Sequence, residues 1–180
     1  MIRWILTAAL VAMPVAAGAQ PRAKALSAEQ RLERAESELA IDRVLVDYAY
    51  YLDTRDYDHY VGLFTPDAEW VNPAGTHKGQ KAIHDMLSGM LGPAMAENHS
   101  NYHIITNPRV DVTGNTATAW SRFLFVMRGE GGHPQPALAG IYRDEFVKLN
   151  GVWKIKRRVA ENVMPTPDEW KKATAPQAKP

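Results

Sequence analysis

The stretch from Asp47 to Tyr60, DYAYYLDTRDYDHY, sets five tyrosines, four aspartates and a histidine around a single arginine. Phenols, carboxylates and imidazoles are the side chains that pass protons near neutral pH, so the stretch invites a general acid–base reading. At helical spacing Asp53 shares a stripe with Val46, Ala49 and Tyr50, which makes its carboxylate the continuation of an apolar face. Tyr48 lies about one and a half turns earlier and can reach the same cavity. Asp56 reads as the cap of a following helix and Asp58 as a surface residue, because negative side chains favour helix N-termini. Capping or turn chemistry within DTRD is the competing reading of Asp53.

A second cluster, ENHSNYHIITNPRV, runs from Glu97 to Val110. His99 and His103 have the spacing of a metal pair on a helix, but the flanking IIT and NP predict a strand starting near Asn101, and the helical argument lapses. On that strand His103 points with Asn101 and Ile105. A lone histidine beside isoleucine is more often a satisfied core residue than a catalyst, and an aspartate meeting it would strengthen the catalytic reading. The third element is WKIKRRV, where Arg157 shares parity with Trp153, Ile155 and Val159 and so falls on the apolar face. An arginine there needs a ligand or a structural carboxylate such as Glu161 or Asp53. Ser100 and Ser121 lack the glycine context of a nucleophile elbow. GEGGHP at 129–134 joins two strands with no helix behind it, so it reads as a flexible connection, not a phosphate loop.

These residues must be positioned by an α+β domain. Ser27 and Gln30 have capping-box spacing, and a helical pattern follows to Asp53, charged in its first half and apolar around the circumference in VLVDYAYYL. That helix should begin on the surface and finish inside. A short helix fits RDYDHYVGLF, ending near Thr65 and Pro66, and a third fits Gly79 to Leu91. Strands are expected at 68–72, through RVDV, and at 116–127, 137–149 and 152–163, with hairpin turns at Gly114-Asn115 and Asn150-Gly151. Helices on one face of an antiparallel sheet is the implied architecture.

The N-terminal MIRWILTAALVAMPVAAGA has one charge, a short apolar run and small residues before Gln20. It reads as a secretory signal peptide at 1–19, cut before Gln20, which implies a periplasmic or secreted protein. The run is shorter than the roughly 20 residues of a membrane span. A flexible lead at 20–26, a domain at 27–164 and a mobile tail at 165–180 complete the organisation. The 21 basic and 20 acidic residues nearly cancel, so bulk charge recruits neither nucleic acid nor an anionic membrane. With no cysteine, thiolate metal sites, cysteine nucleophiles and disulfides are excluded.

Taken in order, VDYAYYLDTRDYDHYVGLFTPDAEWVNPAGTHKGQKAIHDML, NYHIITNPRVDVTGNTATAWSRF and GIYRDEFVKLNGVWKIKRR resemble the SnoaL-like branch of the nuclear transport factor 2-like superfamily, over about residues 30–163. The resemblance implies a cone: a curved antiparallel sheet wrapped around three helices, with an apolar pocket in its open end. It also implies a lyase needing no metal and no organic cofactor, with Tyr48, Asp53 and His103 as the proton-transfer residues. The family's arginine has Arg157 as its counterpart on parity, with Asn162 or Arg158 as alternatives by alignment. Two family positions depart, near Ser121 and Tyr142. On this basis His103 is the base, Asp53 orients it, and Tyr48 with Tyr142 donates to a leaving hydroxyl or oxyanion. Trp120, Phe123, Phe125, Met127, Trp153 and Met90 are available to line or back a pocket for an apolar, aromatic or polycyclic ligand. Water loss or aldehyde elimination is the expected reaction. An exported binding protein and a dimerisation domain are the other classes, and a homodimer or homotrimer is expected.

Overall fold

In the computed structural model, residues 25–95 and 97–166, together with 168, 169 and 172, are described. The expected signal peptide lies outside the described residues, as do most of the lead and most of the tail. Helix α1 spans Ala28–Thr54 and opens with the expected capping box, in which Ser27 and Gln30 bond each other's backbone. It stops at Arg55, whose left-handed backbone (φ 58°) turns the chain out of the helix. Its buried residues, Ser37, Ile41, Val44, Leu45, Tyr48 and Leu52, form a single stripe. The second half is therefore not buried all round: Val46 and Tyr50 are 59% and 61% exposed. Asp53 is drawn inward by a strand that covers the helix end, not by the stripe it was expected to extend.

Helix α2 (Tyr57–Gly62) is capped by Asp56, whose carboxylate accepts from the His59 amide, as the sequence predicts. Strand β1 (Phe64–Asn72) then starts earlier than expected, and a short strand β2 (Gly75–Lys78), not anticipated, pairs with it as a hairpin. Helix α3 spans Gln80–Leu91. Strands β3 (Asn101–Thr113), β4 (Thr116–Arg128), β5 (Pro134–Leu149) and β6 (Val152–Met164) form the meander. Asn150 and Gly151 both take positive φ (50° and 83°), the hairpin conformation that this pair favours.

The six strands lie in the order β2-β1-β6-β5-β4-β3. All neighbouring pairs are antiparallel except β1 and β6, which run parallel. Those two strands are not hairpin partners, so nothing in the connection forces them to oppose each other. Register shifts interrupt four of the five pairings. Each extra residue bends its strand, and together they curve the sheet around the helices. The core, including Ile41, Leu45, Tyr48, Phe64, Ile83, Phe146 and Ile155, fills the concave side.

One glycine is fixed by close approach. A Cβ on Gly140 would lie 2.2 Å from the Glu161 carbonyl oxygen and 2.5 Å from the Phe123 ring. Gly140→Ala is expected to destabilise the fold by about 1–3 kcal/mol through overpacking, read as a lower urea midpoint.

Candidate active site

Asp53 sits in the last turn of α1 and His103 near the start of β3. The Asp53 Oδ1 is 2.6 Å from His103 Nδ1, and its Oδ2 accepts the His103 backbone N–H at 2.8 Å. Strand β3 is an edge strand, so backbone groups facing away from β4 need partners from elsewhere. Here the carboxylate supplies one, and the same bond fixes the ring. A carboxylate can only accept, so Nδ1 carries a proton, and whenever the ring is neutral Nε2 has the lone pair. The imidazole packs on Phe125, its strand neighbour, at 4.6 Å between centroids.

Tyr48 and Tyr142, which share a cavity lining with His103, pack on a cation. Tyr48 is fully buried and its hydroxyl accepts the Trp70 Nε1–H at 3.2 Å. The Arg158 guanidinium lies 3.8 Å from the Tyr48 ring centroid and 4.2 Å from that of Tyr142. It pairs side-on with Asp144, through contacts of 2.6 and 2.7 Å, and both side chains are inaccessible to solvent. Burial works against the Asp144 carboxylate and raises its pKa, with Arg158 pulling the other way. Burial likewise opposes the Arg158 charge, but Asp144 outweighs it and holds the cation. Burial also pushes the Tyr142 phenol well above its ordinary range, Arg158 opposing. Tyr142 is therefore a protonated donor at neutral pH, not a base.

Between these groups is a cavity of about 240 Å³. Tyr48, Tyr142 and His103 line it together with Leu52, Trp70, Leu87, Leu91, Phe123, Phe125 and Leu138, and Asn72 and Asn162 add two carboxamides. Among the described residues, no lysine, arginine, aspartate or glutamate lines it. Met90 and Met127 belong to its wall but are 63% and 47% exposed, so they form the rim, whereas Trp153 is core.

Two expected lining residues lie elsewhere. Arg157 is on the outer face, 41% exposed, beside Glu69 at 3.6 Å and Glu145 at 3.9 Å. The register passes from Phe146↔Ile155 to Glu145↔Arg157, so Lys156 is an extra residue and every later side chain changes face. Arg158 and Ala160 consequently point inward after Trp153 and Ile155. Strict alternation places Arg157 inward, one position from the buried Arg158, which the family resemblance already offers as an alternative. Trp120 also faces outward, with Arg122 at 5.3 Å from its ring, because it has the opposite parity to Ser121 and Phe123. Both residues border an open depression of about 740 Å³ on the convex face, remote from the dyad. Arg157→Ala is expected to shift stability by less than about 1 kcal/mol, as an exposed ion pair should, with thermal melting as the check.

Among the described residues, a curved six-stranded sheet with three α-helices, and an apolar cavity lined by His103, Tyr48 and Tyr142, define a cone-type α+β fold. Residues 33–159 match the SnoaL-like domain, and the chain belongs to that family. Gamma-hexachlorocyclohexane dehydrochlorinase of Sphingobium indicum is 28% identical over 131 residues, spanning 72% of this chain and 82% of that enzyme. The structure of a candidate scytalone dehydratase from Novosphingobium aromaticivorans aligns with a TM-score of 0.64 at 29% identity, over 74% of this chain and 89% of that one. An NTF2-like protein of cystatin-like fold from the same species aligns with a TM-score of 0.66 over 76% of this chain and 88% of its own. At 22% identity that likeness shows the fold alone.

Proposed function

We propose that the protein is a cofactor-independent lyase that eliminates a small leaving group from an uncharged cyclic substrate. The observation that carries this reading is the 2.6 Å contact between Asp53 and His103, which leaves the imidazole Nε2 as an acceptor at a cavity wall. A dehydrochlorinase and a candidate scytalone dehydratase among the relatives support a lyase class. In the proposed step Nε2 takes the proton of a C–H bond next to the leaving group, and that bond's electron pair becomes the new double bond. The leaving group departs with its own bonding pair. If it is hydroxide, it takes a proton from Tyr48 or Tyr142 and leaves as water, and the imidazolium then reprotonates the phenolate. Asp53 stabilises the imidazolium while it exists. Arg158, stacked behind both phenols, stabilises negative charge developing on the oxygen they contact. Retro-aldol loss of an aldehyde would start from the same base acting on a hydroxyl.

The lining without ionised side chains argues for an uncharged ligand, since a charge placed there would be desolvated without a partner. A volume near 240 Å³ lies below the roughly 300–1,000 Å³ of drug-sized sites, which favours one or two rings over a polycyclic skeleton. The test is to incubate the protein with hydroxylated and halogenated compounds of one and two rings and follow product masses. Loss of water, hydrogen halide or a small aldehyde is expected. Tight binding with every ligand recovered unchanged after long incubation at several pH values would identify a binding protein instead.

A further inference from the structure

The segment between α3 and β3 carries one side chain, outside the lining of the apolar cavity, that bonds the backbone of both the helix end and the strand start. The Asn98 Nδ2 donates to the carbonyl of Asp53 at 2.9 Å and to that of Asn101 at 2.8 Å. Its Oδ1 accepts the backbone N–H of Ser100 at 2.9 Å and of Asn101 at 3.3 Å. A carboxamide has two N–H donors and two acceptor sites, and here all four are used. The Asp53 carbonyl belongs to the last turn of α1, where carbonyls lack intrahelical partners. One side chain therefore closes the helix end that carries the acid and fixes the strand two residues before the histidine. A second strut runs alongside. The buried Arg55 donates through Nη2 to Asn101 Oδ1 at 3.0 Å, and through Nη1 to the carbonyl of Leu91 at the end of α3.

This tie matters because Asp53 and His103 are 50 residues apart in sequence, one at a helix terminus and the other on an edge strand. Both kinds of element fray first. A displacement of about 1 Å would lengthen the Nδ1 contact beyond hydrogen-bonding range. The imidazole would then be free to place its proton on Nε2, the nitrogen that must accept. We infer that Asn98 is a positioning residue that holds the Asp53 carboxylate against His103 and so sets the ring's tautomer. The inference rests on the proposed role of His103 as base.

Asn98→Asp keeps the size and the two accepting bonds but turns an oxygen against the carbonyls of Asp53 and Asn101. Asn98→Ala removes all four bonds. In the isotope-labelled full chain, ring-nitrogen chemical shifts report which nitrogen of His103 is protonated, and Asp53→Asn provides the spectrum of the opposite tautomer. The wild type is expected in the Nδ1–H form. The Asn98 variants are expected to fold, to shift towards the Nε2–H form and to lose about 10²-fold in kcat with little change in KM. A folded variant that keeps the wild-type tautomer overturns the inference. So does failure of both variants to fold, which would make Asn98 a folding residue. The shifts need no substrate, so a protein that turns nothing over would defeat the lyase reading and still decide the role of Asn98.

Discussion

Asp53→Asn is expected to fold like the wild type and to lose about 10³–10⁴-fold in turnover. The substitution is isosteric. The new Oδ1 can keep the bond from the His103 backbone N–H, now made at 2.8 Å by Asp53, while the new amide faces Nδ1 across the present 2.6 Å contact. That amide donates, so Nδ1 must accept, and the ring proton moves to Nε2. The imidazole then presents a donor to the cavity and cannot take a proton from carbon. Loss of the correct tautomer with geometry intact costs about 10⁴-fold where a carboxylate–histidine pair serves a serine nucleophile, and the same logic applies to a carbon acid. The measurement is kcat for any substrate that the wild type transforms, alongside the melting curve. An Asp53→Asn protein with wild-type turnover would remove His103 as the base. His103→Gln should show a loss of about 10²–10⁴-fold, the usual worth of a positioned acid–base group.

The two halves of the proposed machinery were unequally legible in the sequence. Asp53 and His103 could be picked out because each is a proton-transfer residue inside an apolar pattern, and such residues are costly to bury without a purpose. Helical periodicity nonetheless accounts for Asp53 only in part. Val46 and Tyr50, its supposed stripe-mates, face water, and the carboxylate is held inside by the edge of β3, a tertiary contact that no helical periodicity encodes. Arg158 stood only as an alternative by alignment, and parity favours Arg157, because one bulge at Lys156 reverses the parity on which the face of a strand is read. Bulges leave little trace in a single sequence when the extra residue is as polar as its neighbours. Trp120 was an error of another kind. Alternation alone separates it from Phe123 and Phe125, so its aromatic character should not have outweighed its parity. Asn98 looked like an ordinary loop residue, since its role depends on the carbonyl of Asp53, which is brought beside it only by the fold.

The buried pair beneath the phenols carries the largest expected effect on stability. Arg158→Met leaves Asp144 ionisable, inaccessible to water and without the side-on partner it now has at 2.6 and 2.7 Å. Breaking such a pair from one side costs about 3–5 kcal/mol, which should appear as a sharp fall in the urea midpoint. Stability alone, however, would not tell a structural cation from a functional one. The double variant Asp144→Leu with Arg158→Met removes both charges together and fills much of their volume with hydrocarbon. Replacements of that kind are commonly neutral or stabilising by about 1–4 kcal/mol, so the double variant is expected to regain a cooperative fold near wild-type stability. Its turnover should still be about 10²-fold down, because Tyr48 and Tyr142 would contact a developing oxyanion without the cation now stacked 3.8 and 4.2 Å from their rings. A well-folded double variant with undiminished turnover would assign Arg158 to the core alone and leave His103 and the two phenols to carry the elimination unaided.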